Sequence, residues 1–168
     1  YKYGTTDITR TMSLNKQTKK IKNIFTYVLK GHIAVASANL NKIKRANLLD
    51  NLARKFLNKK GLDYPHGTGH GVGFFLNVHE SPVAISKGYK MKIKPGQVMS
   101  NEPGFYKKGK FGIRLENMIY VKQLKNKIFF KNLTMVPFDK DLINIDLLTY
   151  KEKNYLINYN LEIYSNIQ

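Results

Sequence analysis

Three acidic residues are the first candidates for chemistry in this sequence, because they lie among neutral or apolar neighbours. Asp7 follows Gly-Thr-Thr, Glu102 precedes Pro-Gly, and Glu116 lies in the run Gly-Ile-Arg-Leu-Glu-Asn. Only 11 of the 168 residues are acidic, so these positions stand out. A carboxylate inside a sheet must be paired, hydrogen-bonded or bound to a metal, since burying an unpaired charge is strongly unfavourable.

Three of the four histidines, His66, His70 and His79, lie close together in a glycine-rich segment. Neutral imidazole is the commonest metal ligand, and glycine lets the backbone approach a ligand closely. His70 has a glycine on each side and is the best placed to point into a site. The fourth histidine, His32, lies on an apolar helix face, and for it we predict an ordinary core position.

One imidazole nitrogen and three carboxylates form an oxygen-rich donor set. Such a set suits Mn²⁺ and similar octahedral ions better than a closed structural zinc site. Two ions about 3.5–4 Å apart can hold a hydroxide nucleophile and polarise a carbonyl group. Two ions require more ligands than this set supplies, so one acid is missing from it.

Each acid also has a purely structural explanation. Arg114 lies two residues from Glu116, on the same face of a strand by alternation. Asp7 can pair with Arg10 or accept hydrogen bonds from neighbouring threonines, and Glu102 can belong to a Pro-Gly turn. Structural ion pairs perturb acids as readily as catalysis does, so the spacing leaves both explanations open.

The elements that must position these residues follow from the spacing of apolar side chains. Alternation with threonine predicts a strand over residues 6–11 that carries Asp7. Apolar spacing of three and four predicts one helix over about 15–39 and a second over about 49–57, ended near Gly61. Strands are predicted at 74–78, 97–102, 112–121, 128–130 and 133–136.

The C-terminal part of the chain predicts a helix from Thr149 to about Ile163. The spacing Thr149-x-x-Glu152 is that of a capping box, which satisfies backbone amides in the first helical turn. The remaining acids that we considered are predicted to lie on solvated faces or loops: Asp50, Asp139, Asp141 and Glu152. No domain boundary is predicted, since the chain has neither an internal repeat nor a Pro/Gly/Ser-rich linker.

The net charge of +18 comes from basic residues spread over nearly every predicted element. Only four of the 29 are arginine, the residue that base reading and phosphate forks favour. A dispersed, lysine-dominated charge is typical of a solvated surface, so we expect no specific nucleic-acid partner.

Composition excludes further classes of protein. The chain has no cysteine, which excludes a disulfide scaffold, a Cys-ligated zinc site and a thiol nucleophile. Its apolar stretches fall far short of the roughly 20 residues that span a bilayer, so no membrane segment is expected. It starts at Tyr1 without a signal-peptide pattern, and we interpret it as a C-terminal fragment.

The ordered motifs resemble the catalytic domain of Xaa-Pro aminopeptidases (aminopeptidase P), in the pita-bread metallopeptidase family M24. The superfamily also holds methionine aminopeptidase and prolidase. The matching stretches are 1–11, 27–34, 61–73, 76–80, 101–106 and 111–117. They occur in family order, weaker similarity continues to residue 159, and the cytosolic, eukaryotic-like branch is the most similar.

This resemblance implies an α+β pita-bread fold, with a curved mixed or antiparallel sheet backed by helices and truncated on its N-terminal side. Residues 1–168 would form a partial catalytic domain with a C-terminal extension from about residue 138. The family's first metal-ligand Asp would precede Tyr1.

The resemblance also implies roles for single residues. The metal ligands would be the four donors Asp7, His70, Glu102 and Glu116. Glu102 would also carry protons, and Arg114 would order the acidic shell. His66 and His79 would line the substrate site, orient the peptide and shuttle protons.

The implied activity is hydrolysis of the bond between an N-terminal residue and a penultimate proline. A hydroxide bridging two divalent ions would attack, with Mn²⁺ expected and Co²⁺ or Zn²⁺ as alternatives. The resemblance further implies a homodimer in the cytoplasm, and a chain without the first Asp can be inactive by itself. A prolidase, another pita-bread peptidase and a non-catalytic basic binding module remain as alternatives.

Overall fold

The computed structural model describes residues 3–75 and 77–167. Its helices are α1 (Lys19–Ala36), α2 (Ala46–Asn58) and α3 (Tyr150–Ile167). Its strands are β1 (Gly69–Gly71), β2 (Glu80–Ile85), β3 (Val98–Asn101), β4 (Gly104–Lys107), β5 (Phe111–Arg114), β6 (Asn117–Leu124) and β7 (Lys127–Asn132). Two 3-10 turns, Lys140–Leu142 and Ile145–Leu147, precede α3.

The strands form two antiparallel sheets. The larger has the order β2-β1-β3-β6-β7, and β4 pairs with β5 in a separate hairpin. The register of β1 against β2 shifts between His70 and Gly71, which marks an irregularity beside the candidate ligand. The mixed α/β composition agrees with the predicted fold class.

Helices α1 and α2 back the large sheet because each has one apolar face. Thr18 caps α1 by accepting a hydrogen bond from the Ile21 amide, so α1 starts later than predicted. Gly61 has a φ of +66° and follows α2 as predicted. One core cluster lies between the helices and the large sheet, and its members are Val35, Ala38, Leu40, Ala46, Leu49, Ala53, Ile85, Ile93, Met99, Ile119, Val121 and Phe130.

A second core cluster joins α1 to the β4-β5 hairpin and α3. Its buried members are Ile24, Phe25, Val28, Leu29, Ile33, Leu57, Tyr64, Ile113, Leu115, Phe138, Leu142, Tyr159 and Ile163. Since α3 contributes two of these residues, the C-terminal helix is part of the packed structure. Its predicted capping box is confirmed: the Thr149 amide donates to Glu152 Oε2 at 2.8 Å.

Two predicted strands are wrong. Of the described residues of 74–78, three form bends and Asn77 is irregular, so none belongs to a strand; Leu76 lies outside the described part of the chain. Residues 133–136 are not a strand because side chains occupy their carbonyl groups. Tyr159 Oη lies 2.9 Å from the carbonyl oxygens of both Thr134 and Val136, which share its one proton, and Arg10 Nη2 donates to that of Val136.

Two further strand predictions need correction. The segment 6–11 is not a strand: it has a single bridge, between Thr9 and Glu116, because side-chain atoms take other backbone hydrogen-bonding positions. The Asp7 amide, for example, donates to the sulfur of Met118 at 3.2 Å. The predicted strand 112–121 is two strands in different sheets, since β5 turns back on β4 whereas β6 pairs with β3.

Two acids predicted to be solvated are instead in ion pairs. Asp50 is fully buried and pairs with Arg54 on α2. Glu152 Oε2 lies 2.5 Å from Nζ of Lys30, which also donates to the Leu147 carbonyl. Among the described residues, no helix combines the length and apolar character needed to cross a bilayer.

We expect that Gly31→Ala destabilises the fold. A Cβ atom there would lie 2.1 Å from the Ala53 carbonyl oxygen, so α1 and α2 would have to move apart. Overpacking of this kind costs about 1–3 kcal/mol, to be measured by urea unfolding. The control is Gly88→Ala, where a Cβ meets no atom within 4 Å. Equal stability of the two variants would contradict the close helix contact.

The Lys30–Glu152 pair predicts a pH-dependent contribution to stability. Burial opposes ionisation of Glu152, but hydrogen bonds from Lys30 and Thr149 outweigh it and lower the pKa of this carboxyl below 4.5. The contribution is therefore complete above pH 4.5 and lost as pH falls through the folded-state pKa. Glu152→Gln should cost about 3 kcal/mol at pH 7 and progressively less in acid, as measured by unfolding at several pH values.

Glu162→Gln is the matched control for this measurement. Glu162 Oε1 lies 3.5 Å from Nζ of Lys131, and both side chains are much more exposed. We expect a change within about 0.5 kcal/mol at each pH. A pH-independent cost in Glu152→Gln would show that the pair is not the cause.

Candidate metal centre

Asp7 and Glu116 are brought together by the bridge between their two segments. The Glu116 amide donates to the Thr9 carbonyl at 3.0 Å, and Thr9 Oγ1 donates to Glu116 Oε2 at 2.5 Å. Glu116 is 2% exposed and follows β5, whereas Asp7 is half-buried. Thr9, two residues after Asp7, therefore holds the carboxylate of Glu116 in place.

His70 lies on β1, the strand between β2 and β3. Its amide donates to Ser100 Oγ at 3.0 Å, and its Nδ1 lies 2.9 Å from the Gly71 carbonyl oxygen. The neighbouring Gly69 permits this arrangement, because a Cβ atom there would lie 2.0 Å from the Ser100 carbonyl oxygen. With Nδ1 engaged by the backbone, Nε2 is the ring atom that faces the acids.

Glu102 follows β3 and is 8% exposed. Its amide donates to the Thr68 carbonyl at 2.7 Å, and its Oε1 accepts from Ser100 Oγ at 3.0 Å. Ser100 thus contacts the backbone of His70 and the carboxylate of Glu102 at once. One hydroxyl on β3 sets the distance between two candidate ligands.

These donors converge from four separate parts of the chain. His70 Nε2 lies 3.3 Å from Asp7 Oδ2 and 3.2 Å from Glu102 Oε1. Ligand atoms of Asp7, His70 and Glu116 all lie within 4.8 Å of one another. The structure therefore brings together the four residues expected as ligands.

The charges in this cluster fit a cation. Burial and the carboxylates of Glu102 and Asp7 raise the pKa of Glu116 to about 6. Burial disfavours protonated His70, but hydrogen bonds to Glu102 and the Gly71 carbonyl, with the charge of Asp7, raise its pKa to about 9. Three carboxylates around one imidazole thus stabilise positive charge, and their hard oxygen donors suit a divalent ion.

Arg114 pairs with Glu102 and not with Glu116. Its Nη1 lies 3.6 Å from Glu102 Oε2, while its Nε donates to the Tyr106 hydroxyl at 2.8 Å. The ion pair between Arg114 and Glu116 that the sequence suggested is therefore not the one that Arg114 forms. Arg10 likewise turns away from Asp7 and donates to the Glu116 carbonyl at 2.6 Å.

The two other histidines of the glycine-rich segment lie beside the cluster. The ring of His79 is 3.8 Å from the ring of His70, centroid to centroid. His66 Nε2 lies 2.8 Å from the Tyr106 hydroxyl, and its Nδ1 lies 2.7 Å from the Gly67 carbonyl oxygen. Burial and the charge of Arg114 lower the pKa of His66.

Tyr106 is the residue that sequence reasoning missed. Its hydroxyl joins His66 to Arg114, which in turn contacts Glu102. The sequence feature that could have identified it is its position in the Glu-Pro-Gly-Phe-Tyr motif, four residues after Glu102. His32, by contrast, is a fully buried core residue as predicted, and burial lowers its pKa to about 3. It is not fully satisfied: Nδ1 lies 3.1 Å from the Leu115 carbonyl oxygen, but Nε2 has no hydrogen-bond partner among the described residues.

The chain has the pita-bread fold of its structural neighbours, and one imidazole and three carboxylates gather beside its antiparallel sheet. Residues 1–123 match the model of metallopeptidase family M24, and residues 127–168 match that of the C-terminal region of peptidase M24. The chain therefore belongs to metallopeptidase family M24.

Similar curated proteins are named probable Xaa-Pro aminopeptidase P. That of Fusarium vanettenii is 46% identical over 179 aligned positions, covering 100% of this chain and 29% of the relative. That of Botryotinia fuckeliana is 48% identical over 173 positions, covering 96% and 26%. The chain thus spans under a third of the length of these relatives.

Solved structures support the same fold. The X-prolyl aminopeptidase of Caenorhabditis elegans, described as a cytosolic enzyme with a di-nuclear active site, has a TM-score of 0.87 and 40% identity. The match covers 95% of this chain and 27% of that one. The prolidase of Pyrococcus furiosus has a TM-score of 0.68 and 30% identity, covering 77% and 36%.

We expect that Glu116→Gln weakens binding of a divalent ion by tenfold or more, because it removes a carboxylate from the cluster while keeping its volume. Isothermal titration with Mn²⁺ measures the effect. Asp141→Asn is the control, since Asp141 is exposed and lies outside the cluster. Unchanged affinity in Glu116→Gln would remove Glu116 from the ligand set.

Proposed function

We propose that this chain forms part of a metal-dependent aminopeptidase that releases an N-terminal residue preceding proline. The observation that carries the proposal is the convergence of Asp7, His70, Glu102 and Glu116 in one cluster. The names of the similar proteins supply the substrate class. Residues 1–168 would then be a partial catalytic domain with a C-terminal extension from about residue 138, to which the match at 127–168 lends support.

The four clustered residues would hold the metal, with Mn²⁺ as the first choice on the chemistry of the donors. Divalent ions bound there would supply an activated water and polarise the scissile carbonyl. Thr9 and Ser100 would orient Glu116 and Glu102 through the hydrogen bonds described above.

Glu102 would move a proton as well as bind metal. One of its oxygens faces His70 and Ser100, and the other faces Arg114. Its pKa is lowered: burial opposes ionisation, but His70, Ser100 and Arg114 outweigh that effect. Glu102 is therefore ionised at neutral pH and can accept a proton from the attacking water.

His66 and His79 would bind and orient the peptide. His66 is linked to the cluster through the Tyr106 hydroxyl, and the ring of His79 lies against that of His70. The lowered pKa of His66 keeps its ring neutral at pH 7. Because Nδ1 donates to the Gly67 carbonyl, Nε2 is the nitrogen that can accept a hydrogen bond from a peptide amide.

The proposal also covers the cellular location and the oligomeric state of the enzyme. The C. elegans structure is of a cytosolic enzyme, which supports a cytoplasmic location. A homodimer through the C-terminal region is supported by three exposed apolar residues of α3, Ile157, Leu161 and Tyr164. Their spacing of four and three places them on one face of the helix.

A prolidase is the second candidate, because the prolidase of P. furiosus shares the fold. The two activities differ in substrate length: a prolidase hydrolyses dipeptides that end in proline, whereas an aminopeptidase releases the first residue of longer peptides. A basic binding module is the third, and its affinity would fall steeply with salt.

Incubation of the protein that carries this chain with Mn²⁺ and an Arg-Pro-Pro peptide tests the proposal. We expect release of arginine, loss of activity on chelation, and no hydrolysis of Xaa-Pro dipeptides. Glu102→Ala and His70→Ala should each lower turnover by about 10²–10⁴-fold. Glu162→Gln, a surface substitution, is the control. An intact peptide, or wild-type rates in either variant, would refute the assignment.

A further inference from the structure

A buried ion pair on α2 lies outside the metal centre. Arg54 is 4% exposed and Asp50 is fully buried. Arg54 Nε lies 2.7 Å from Asp50 Oδ2, one helical turn away. Desolvation makes such a pair favourable only when further hydrogen bonds satisfy both groups, so its remaining partners show what the pair does.

The other nitrogens of Arg54 bind the segment 63–68, which carries His66. Nη1 donates to Asp63 Oδ1 at 2.7 Å and to the Tyr64 carbonyl at 2.8 Å, and Nη2 donates to the His66 carbonyl at 2.6 Å. The guanidinium carbon also lies 3.9 Å from the centre of the Tyr64 ring. One side chain therefore holds this segment at three residues, through the Asp63 carboxylate and the carbonyls of Tyr64 and His66.

Asp50 holds the far end of the same segment. Its Oδ1 accepts from Thr68 Oγ1 at 2.7 Å, and Thr68 Oγ1 also lies 2.5 Å from the Tyr64 hydroxyl. The Thr68 carbonyl in turn accepts the Glu102 amide at 2.7 Å. The ion pair thus contacts both ends of a segment that leads to His66 and to Glu102.

The position of the His66 ring depends on this backbone. Its Nδ1 is engaged by the carbonyl of Gly67, the next residue, and its ring centre lies 4.9 Å from that of Tyr64. A displacement of the segment would change the direction of Nε2, which now faces the Tyr106 hydroxyl.

We propose that Arg54 and Asp50 are positioning residues, which hold the segment 63–68 so that His66 faces the substrate site. This inference rests on the proposed function in that His66 contacts the peptide. The planar fork of arginine is essential to it, because a lysine ammonium cannot reach Asp50, Asp63 and two carbonyls in the same geometry.

The test is a double-mutant cycle of Arg54→Lys with His66→Ala in the protein that carries this chain, assayed on an Arg-Pro-Pro peptide. Arg54→Lys should lower kcat/KM by tenfold or more in the native background. In the His66→Ala background the same change should have little further effect, because Arg54 acts through His66. A merely structural role would give additive losses and would overturn the proposal.

Lys87→Gln is the control, and Thr68→Val is a second variant. Lys87 Nζ pairs with Asp63 Oδ2 at 2.8 Å but is 60% exposed, so its removal should leave kcat/KM unchanged. Thr68→Val removes the hydrogen bond to Asp50 while keeping the ion pair and the shape. It should show the same coupling to His66→Ala, and it serves if Arg54→Lys does not fold.

Two readouts remain informative in the absence of turnover. Hydrogen exchange should be at least tenfold faster at the amides of 63–68 in Arg54→Lys and Thr68→Val, but not in Lys87→Gln. The His66 ring resonances should shift in the same two variants. An intact peptide with the wild type would refute the proposed function alone, whereas unchanged exchange and unchanged resonances would overturn the positioning role.

Discussion

Repulsion among carboxylates is the constraint on which this structure depends. Asp7, Glu102 and Glu116 lie around the imidazole of His70, and burial together with the nearby carboxylates raises the pKa of Glu116. Such a cluster is tolerated only where donors or cations offset the negative charge. Thr9 and Ser100 each hold one carboxylate, and this arrangement is a candidate site for a divalent ion.

Close packing between two strands of the large sheet makes this convergence possible. Strand β1 approaches β3 so closely that Gly69 has no room for a side chain, and this contact brings His70 to Ser100 and Glu102. Helix α2 supplies a second support. The buried pair on α2 holds the segment between α2 and β1, so the same backbone is fixed at both ends.

Much of this was predictable, because local patterns decide local structure. Apolar spacing indicated α1 and α2, the Thr149–Glu152 spacing indicated the start of α3, and the motif order indicated all four candidate ligands. The absence of a strand at 133–136 was not predictable in this way. Its β-forming residues have the right pattern, but Arg10 and Tyr159, distant in the chain, take its carbonyl groups.

By itself, the sequence determined which donor types are available and which segments carry them. Only the tertiary structure decided which charges meet. Arg114 pairs with Glu102 instead of Glu116, its neighbour in sequence. Asp50, which was predicted to lie on a solvated face of its helix, is buried against Arg54. The physical reason is that electrostatic pairing depends on distance and burial in space. Spacing along the chain specifies only a residue's face on its own element.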